Sequence, residues 1–319
     1  ILEMVETGPV FSKVRDTWCL VLTLSRSLAE PDSVIRHKQI SRFIVSAEER
    51  LQRFANAQWT RDSQVPQSVW SSRPGMIVGY LSSQKEQQLI AKMEVHPRLG
   101  QVTGRYSISR GEEGSKSDLQ EQSNSDFFMF LPKDVERFIV GDGLRVSRDI
   151  LTPTKVECFY THPKIWVIRI QKMRWRQRLV CGLDDRRNSA GMKTLQVIVS
   201  QSDDLPSLRY LVGLMASKLI NLWCTNYLAD DMNKLYLEQL PIRPIHFSDP
   251  ADRARHEQMV ALVERMLELH RQLAAARTPT AKELLGRQIA ATDAQIDRLV
   301  YALYDLTEEE VGIVEGGRS

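Results

Sequence analysis

Cysteine is scarce in this 319-residue chain: Cys19, Cys158, Cys181 and Cys224 stand far apart, with no C-x-x-C pair and no histidine at metal-ligand spacing. Those absences argue against a zinc site, and three of the four lie in apolar stretches, as small buried hydrophobes do in a reducing compartment. Long apolar runs are missing too. No segment approaches the roughly 18 consecutive apolar residues of a membrane span, and no charged n-region precedes an apolar h-region. The expectation is a soluble cytoplasmic protein with no membrane partner. An initiator methionine is also lacking, since the chain starts at Ile1 in ordered-looking sequence; it reads as a piece of something longer.

A strong charge of one sign is absent from the whole but present in part. Overall, 43 Lys and Arg face 40 Asp and Glu, and the 42% hydrophobic and 26% charged content is that of an ordinary globular chain of about two domains. Residues 1–136 hold 17 basic and 17 acidic side chains, residues 137–193 hold 13 and 5, and the remainder is acidic by five. A local excess of +8 is the electrostatic footprint expected of a nucleic-acid partner. Within it, K-M-R-W-R-Q-R places Lys172, Arg174, Arg176 and Arg178 at a spacing of two. On a strand these four share one face and recur about every 6.8 Å, close to two nucleotide steps along one DNA strand. Such a ladder suits a phosphate backbone, although a basic strand face is more often simply a solvated one.

Residues 17–24 form a β-rich apolar run that predicts a buried strand, and S-S-R-P-G at 71–75 predicts a linker. A short helix is expected over 86–95, closed by Pro97 and Gly100. Residues 108–116 predict a turn-rich loop whose 111–116 part lacks the Walker spacing and reads as a solvated turn, with Arg110 and Lys116 as candidate phosphate contacts. Strands are expected at 127–131, 138–140, 156–160, 164–170, 173–181 and 195–199, antiparallel because their connections are short, with a phase flip near Gln171-Lys172. Trp166 and Trp175 are core candidates before they are base-stacking ones, and His162, His246, His256 and His270 have no partner at catalytic spacing. One helix is expected over 208–228, ending near Asp230-Asp231, followed by an extended exit through Pro241 and Pro244. Apolar residues at 3.6 spacing from Met259 to Leu273 and from Leu284 to Leu303 predict a helical hairpin, with Thr280 and Glu283 as a capping box.

Several tracts together resemble the C-terminal half of type II restriction-modification DNA adenine-N6 methyltransferases that carry a TaqI-like specificity domain. The carrying residues are His162-Pro163-Lys164-Ile165, Y-L-V-G-L-M-A-S-K-L at 210–219, L-P-I-R-P-I at 240–245, and A-T-D-A-Q-I-D-R-L-V-Y-A-L-Y-D-L-T-E-E-E at 291–310. Their order covers residues 80–315. Val10-Phe11 and the tract 19–24 are similar to the last strands of the family's catalytic domain. Neither an F-x-G-x-G-like loop for S-adenosylmethionine nor an N-P-P-Y tetrapeptide for the flipped adenine occurs in the sequence.

The resemblance implies an α+β fold: a remnant of an α/β methyltransferase sheet with a linker (1–75), a strand-rich target-recognition domain with packed helices (76–246), and an antiparallel helical hairpin (247–319). It assigns this chain the recognition of double-stranded DNA, no cofactor of its own, and S-adenosylmethionine to a catalytic methyltransferase partner. Lys172, Arg174, Arg176 and Arg178 would hold phosphates. Arg169, Arg186, Arg187, Asn188 and Lys193 are the candidates for base edges, since Arg pairs guanine and Asn adenine in bidentate fashion. Two other classes fit the same residues: a stand-alone specificity subunit serving a separate methyltransferase, and an RNA-binding or phosphate-rich scaffold.

Overall fold

The computed structural model describes residues 3–8, 19–23, 33–40, 46–66, 84–102, 105–113, 119, 124–170, 177–202, 204–226 and 231–316. Two compact units divide it: residues 1–90 with 172–176 and 225–228, and the rest of the chain.

The first unit contains a four-stranded sheet of β1 (Glu3–Gly8), β2 (Cys19–Thr23), β3 (Val34–Gln39) and β4 (Arg61–Pro66) in the order β2-β1-β3-β4. β1 and β3 run parallel and the other pairs antiparallel. Helix α1 (Ala47–Ala55), capped by Ser46 accepting from the Glu49 N–H, lies against β1. The strand expected over 17–24 forms, but Val21 is 46% exposed.

α2 (Gln84–Met93) matches the helix expected over 86–95. The second unit is built on an all-antiparallel sheet of β5 (Tyr106–Arg110), β8 (Lys164–Ile168), β9 (Cys181–Asp184) and β11 (Leu195–Ser200), ordered β5-β11-β8-β9. β8 and β11 are buried at every position, which explains why K-I-W-V-I and L-Q-V-I-V-S read as apolar runs rather than alternating ones. A second sheet of β6 (Phe127–Phe130), β7 (Leu144–Val146) and β10 (Ser189–Gly191) has the order β10-β6-β7. Its β6–β10 pair is parallel, a departure from the expected antiparallel arrangement. Phe127, Met129 and Phe130 of one sheet share a core with Trp166, Leu195 and Val197 of the other; the Phe130 and Trp166 rings meet edge-on, 6.1 Å between centroids.

Helix α3 (Leu205–Met215) lies between the four-stranded sheet and helix α6 (Pro250–Ala275). Being covered on both sides, it is buried around almost its whole circumference. The single helix expected over 208–228 is broken: α3 stops before Ala216 and α4 runs Lys218–Asn226. Ser217 Oγ donates to the Leu214 carbonyl and accepts from the Ile220 N–H, while Arg137 Nε donates to the Ala216 carbonyl and Asp297 accepts from the Lys218 N–H. These contacts satisfy the backbone groups freed by the break. After a short α5 (Lys234–Glu238) the chain turns extended through Pro241 and Pro244 into α6 and its antiparallel partner α7 (Pro279–Leu303), the expected hairpin. The N-cap of α7 is Thr278, which accepts from the Ala281 N–H; Thr280 and Glu283 form no capping box, and Glu283 instead pairs with Arg287. A capping box does open α8 (Glu308–Glu315), between Thr307 and Glu310.

Two further expectations are corrected. Residues 156–160 form no strand: Val156–Tyr160 is a π-type helical turn, launched by Pro153 with the Thr152 carbonyl accepting from the Lys155 and Val156 N–H groups. Residues 138–140 make only isolated bridges, at Phe138 and Val140. Cys158 is exposed, whereas Cys181 and Cys224 are buried, and burial pushes both thiols up to about 12. Among the described residues no helix is long and apolar enough to cross a membrane, and no three His, Cys, Asp or Glu side chains gather as metal ligands.

Candidate nucleic-acid interface

Arg110 and the described cations of the basic segment form two clusters, one at an end of the larger sheet and one along the smaller sheet. Arg110 closes β5, Arg169 follows β8, and Lys193 sits in the turn before β11. Arg110 Nε donates to the Lys193 carbonyl at 3.2 Å and Arg169 Nη1 at 3.5 Å. Two guanidiniums far apart in sequence therefore meet at the backbone carbonyl of a third basic residue. They are partly neutralised, because Glu113 lies 2.9 Å from Arg110 and 3.7 Å from Lys193, and Asp231 takes the Arg169 guanidinium in bidentate geometry at 2.6 and 2.5 Å. Asp231, expected as the end of a helix, is a counter-ion that orients Arg169.

The turn after Arg110 is less solvated than expected. Glu112 is buried and accepts from the Thr152 backbone N–H and, at 2.7 Å, from its hydroxyl. Gly111 packs so closely that a Cβ there would lie 2.3 Å from the carbonyl oxygens of both Gly191 and Met192.

The second cluster centres on the loop between β9 and β10, which holds Arg186, Arg187 and Asn188. Its base is a buried polar group: Lys164 and Asp184 are 0% and 1% exposed, 3.9 Å apart. Lys164 Nζ donates to the Arg186 carbonyl at 2.8 Å and to Ser189 Oγ at 2.7 Å. Asp184 accepts from the Trp166 indole at 3.3 Å, Arg186 Nε at 2.7 Å, and the Ser189 hydroxyl. Burial lowers the Lys164 pKa to about 8 despite the nearby carboxylate. Trp166 is thus a core residue with its polar edge satisfied. Held at both ends, the loop carries Arg186 half-buried and Arg187 exposed.

Arg186 is positioned rather than loose. Its Nη2 donates to the Gly141 carbonyl at 2.9 Å, and its guanidinium lies 4.6 Å from the Phe130 ring centroid and 5.4 Å from that of Phe128. Asn188 spends one of its two amide N–H groups on the Asp126 carbonyl, which leaves the other N–H and the side-chain oxygen for a ligand. Arg145 and Arg148, which no spacing pattern singled out, are exposed beside this loop, 5.0 Å from the Phe128 centroid and 5.7 Å from the Phe127 centroid. Their membership of the +8 segment was the available signal.

Lys116, Lys172, Arg174 and Arg176 lie outside the described residues, as do Trp175 and the phase flip near Gln171-Lys172. Arg178 is described and corrects part of the ladder: its side chain is fully buried. Asn221 of α4 accepts from the backbone N–H groups of Arg178 and Leu179, at 2.6 and 3.4 Å, and draws this segment onto the helix. A side chain held there has no path to a solvent-side phosphate.

No family model and no curated protein matches the chain. Among solved structures, the type IIG restriction endonuclease BpuSI is 10% identical with a TM-score of 0.42, over 95% of this chain and 43% of that one. The HsdS subunit from Thermoanaerobacter tengcongensis is 14% identical with a TM-score of 0.30, over 69% of this chain and 50% of that one. The chain spans half the length of these proteins or less, and at such scores neither likeness carries an argument about fold or function.

Proposed function

We propose that this chain recognises specific sequences in double-stranded DNA within a site-specific adenine-N6 methyltransferase of a restriction-modification system. The observation that carries this reading is the rigid loop of Arg186, Arg187 and Asn188, set on the buried Lys164–Asp184 pair within the one strongly basic stretch of the chain. Preorganised donors on a firm scaffold suit base-edge readout, because little side-chain entropy remains to be lost on binding. Arg110, Arg169 and Lys193 form a second candidate contact at the end of the larger sheet, where displacement of Glu113 or Asp231 would free a guanidinium for phosphate or guanine.

On this reading residues 1–75 belong to the catalytic domain's sheet, 76–246 form a TaqI-like recognition domain and 247–319 form the hairpin that follows it. The sequence offers neither the glycine-rich loop for S-adenosylmethionine nor the N-P-P-Y pocket for a flipped adenine, so methyl transfer falls to a catalytic partner portion. Base flipping needs a grip on both sides of the target, which a recognition lobe opposite a catalytic lobe supplies. Selection of bound duplexes from a random-sequence pool by the 319-residue chain tests the proposal. Enrichment of one short motif is expected, together with no methylation of the selected DNA; binding without any enriched motif would contradict sequence-specific recognition.

A further inference from the structure

Arg145 and Arg148 differ from Arg110 and from the other described arginines of the basic segment in what surrounds them. Arg110, Arg137, Arg169 and Arg186 are each ion-paired, to Glu113, Asp293, Asp231 and Asp184. Arg187 has an interaction of its own, and Arg178 is buried. Arg145 and Arg148 are exposed and meet no carboxylate among the described residues. The adjacent Asp149 is held by the Ser147 hydroxyl at 3.0 Å.

They are nonetheless held in place. Arg145 stands directly opposite Phe128 in the β6–β7 register, and its Nη1 donates to the Ser125 carbonyl at 2.7 Å. The Phe128 and Phe127 rings support the Arg145 and Arg148 guanidiniums, a contact that favours cations. β7 is the edge strand of its sheet, entered through Gly143 at φ +70°. Two placed guanidiniums at this edge and the turn after it, with no carboxylate partner among the described residues, present positive charge to solvent, and multidentate oxyanions are what such groups bind best.

We propose that Arg145 on β7 and Arg148 in the turn just after it form a phosphate-binding ridge that grips the DNA backbone beside the base-reading loop of Arg186 to Asn188. This rests on the duplex-recognition reading above. The competing role for charged residues on an edge strand is to prevent strand-to-strand association, and the two roles separate experimentally.

The test is the salt dependence of binding of the 319-residue chain to a random-sequence duplex, compared with R145A/R148A, with R145K/R148K and with R271A/R287A on the distal hairpin. Removing two phosphate contacts makes the slope of log K against log salt shallower by about 1.8 and weakens binding most at low salt; the lysine pair keeps the slope, and the hairpin pair leaves it unchanged. Should the alanine pair fail to fold, R145Q/R148Q carries the same comparison. An unchanged slope in a folded variant, with or without self-association, overturns the ridge while leaving duplex recognition standing. Absence of duplex binding by the unaltered chain overturns both.

Discussion

The Lys164 ammonium lies 3.9 Å from the Asp184 carboxylate, and neither side chain reaches solvent. Replacing Lys164 by Met removes one of the two cations at the buried Asp184 and leaves Arg186, 2.7 Å away, as the other, so a loss below the about 3 kcal/mol of a fully broken buried pair is expected. Urea unfolding should show the midpoint falling with little change in the slope. The Arg186 loop, which loses two of its supports in this variant, should also bind its selected DNA motif less tightly than the loss of folded protein accounts for.

The same lysine makes stability depend on pH in a stated direction. Its pKa is about 8 in the folded chain against 10.5 for the free side chain, so between those values the unfolded chain binds more protons and stability rises with pH. Below pH 8 both states are protonated and the cost of burying the charge is constant. Unfolding free energies at pH 8 and 9.5 should therefore rise in the native chain relative to K164M; equal pH slopes in the two would show that Lys164 is not held in this way.

Gly111→Ala should destabilise by about 2 kcal/mol or more, since overpacking costs 1 to 3 kcal/mol and the obstructing atoms here are backbone. The Gly191 and Met192 carbonyl oxygens, each 2.3 Å from the new Cβ, cannot rotate away as a side chain would. A thermal midpoint equal to that of the native chain would be inconsistent with this packing.

At the α3–α4 break, Asp297→Ala removes the carboxylate that accepts from the Lys218 N–H at 2.9 Å. A loss of about 1 to 2 kcal/mol is expected, as for other caps, and Asp297→Asn should recover part of it because an amide oxygen still accepts.

What was legible in the sequence follows from how local the determinants are. The hairpin was readable because Met259, Val263, Met266 and Leu269 repeat at helical spacing on one chain segment and are all buried. Of the β5-β11-β8-β9 sheet, β8 and β11 were legible from their mostly apolar runs, whereas β5 takes residues 108–110 read as loop and the strand expected over 173–181 forms none at 177–180, β9 starting only at Cys181. The α3–α4 break was not, since Arg137 and Asp297 close it from positions distant in the sequence. V-E-C-F-Y reads as strand by composition, yet Thr152 and Pro153 just before it start a helical turn. Nor could spacing show that Asn221 binds Arg178 down, or that Glu113 and Asp231 neutralise the Arg110 cluster. Charge pattern marked a basic region but not which of its cations meet carboxylates among the described residues.

The central claim is that the strand-rich unit binds duplex DNA through its basic surface. Its most direct test is the affinity of the 319-residue chain for a defined duplex over roughly 50 to 200 mM salt, where each neutralised phosphate contributes a slope of about −0.9. A steeply falling affinity, with a slope corresponding to several phosphates, is predicted. No binding at the lowest salt, or binding insensitive to salt, would contradict the account.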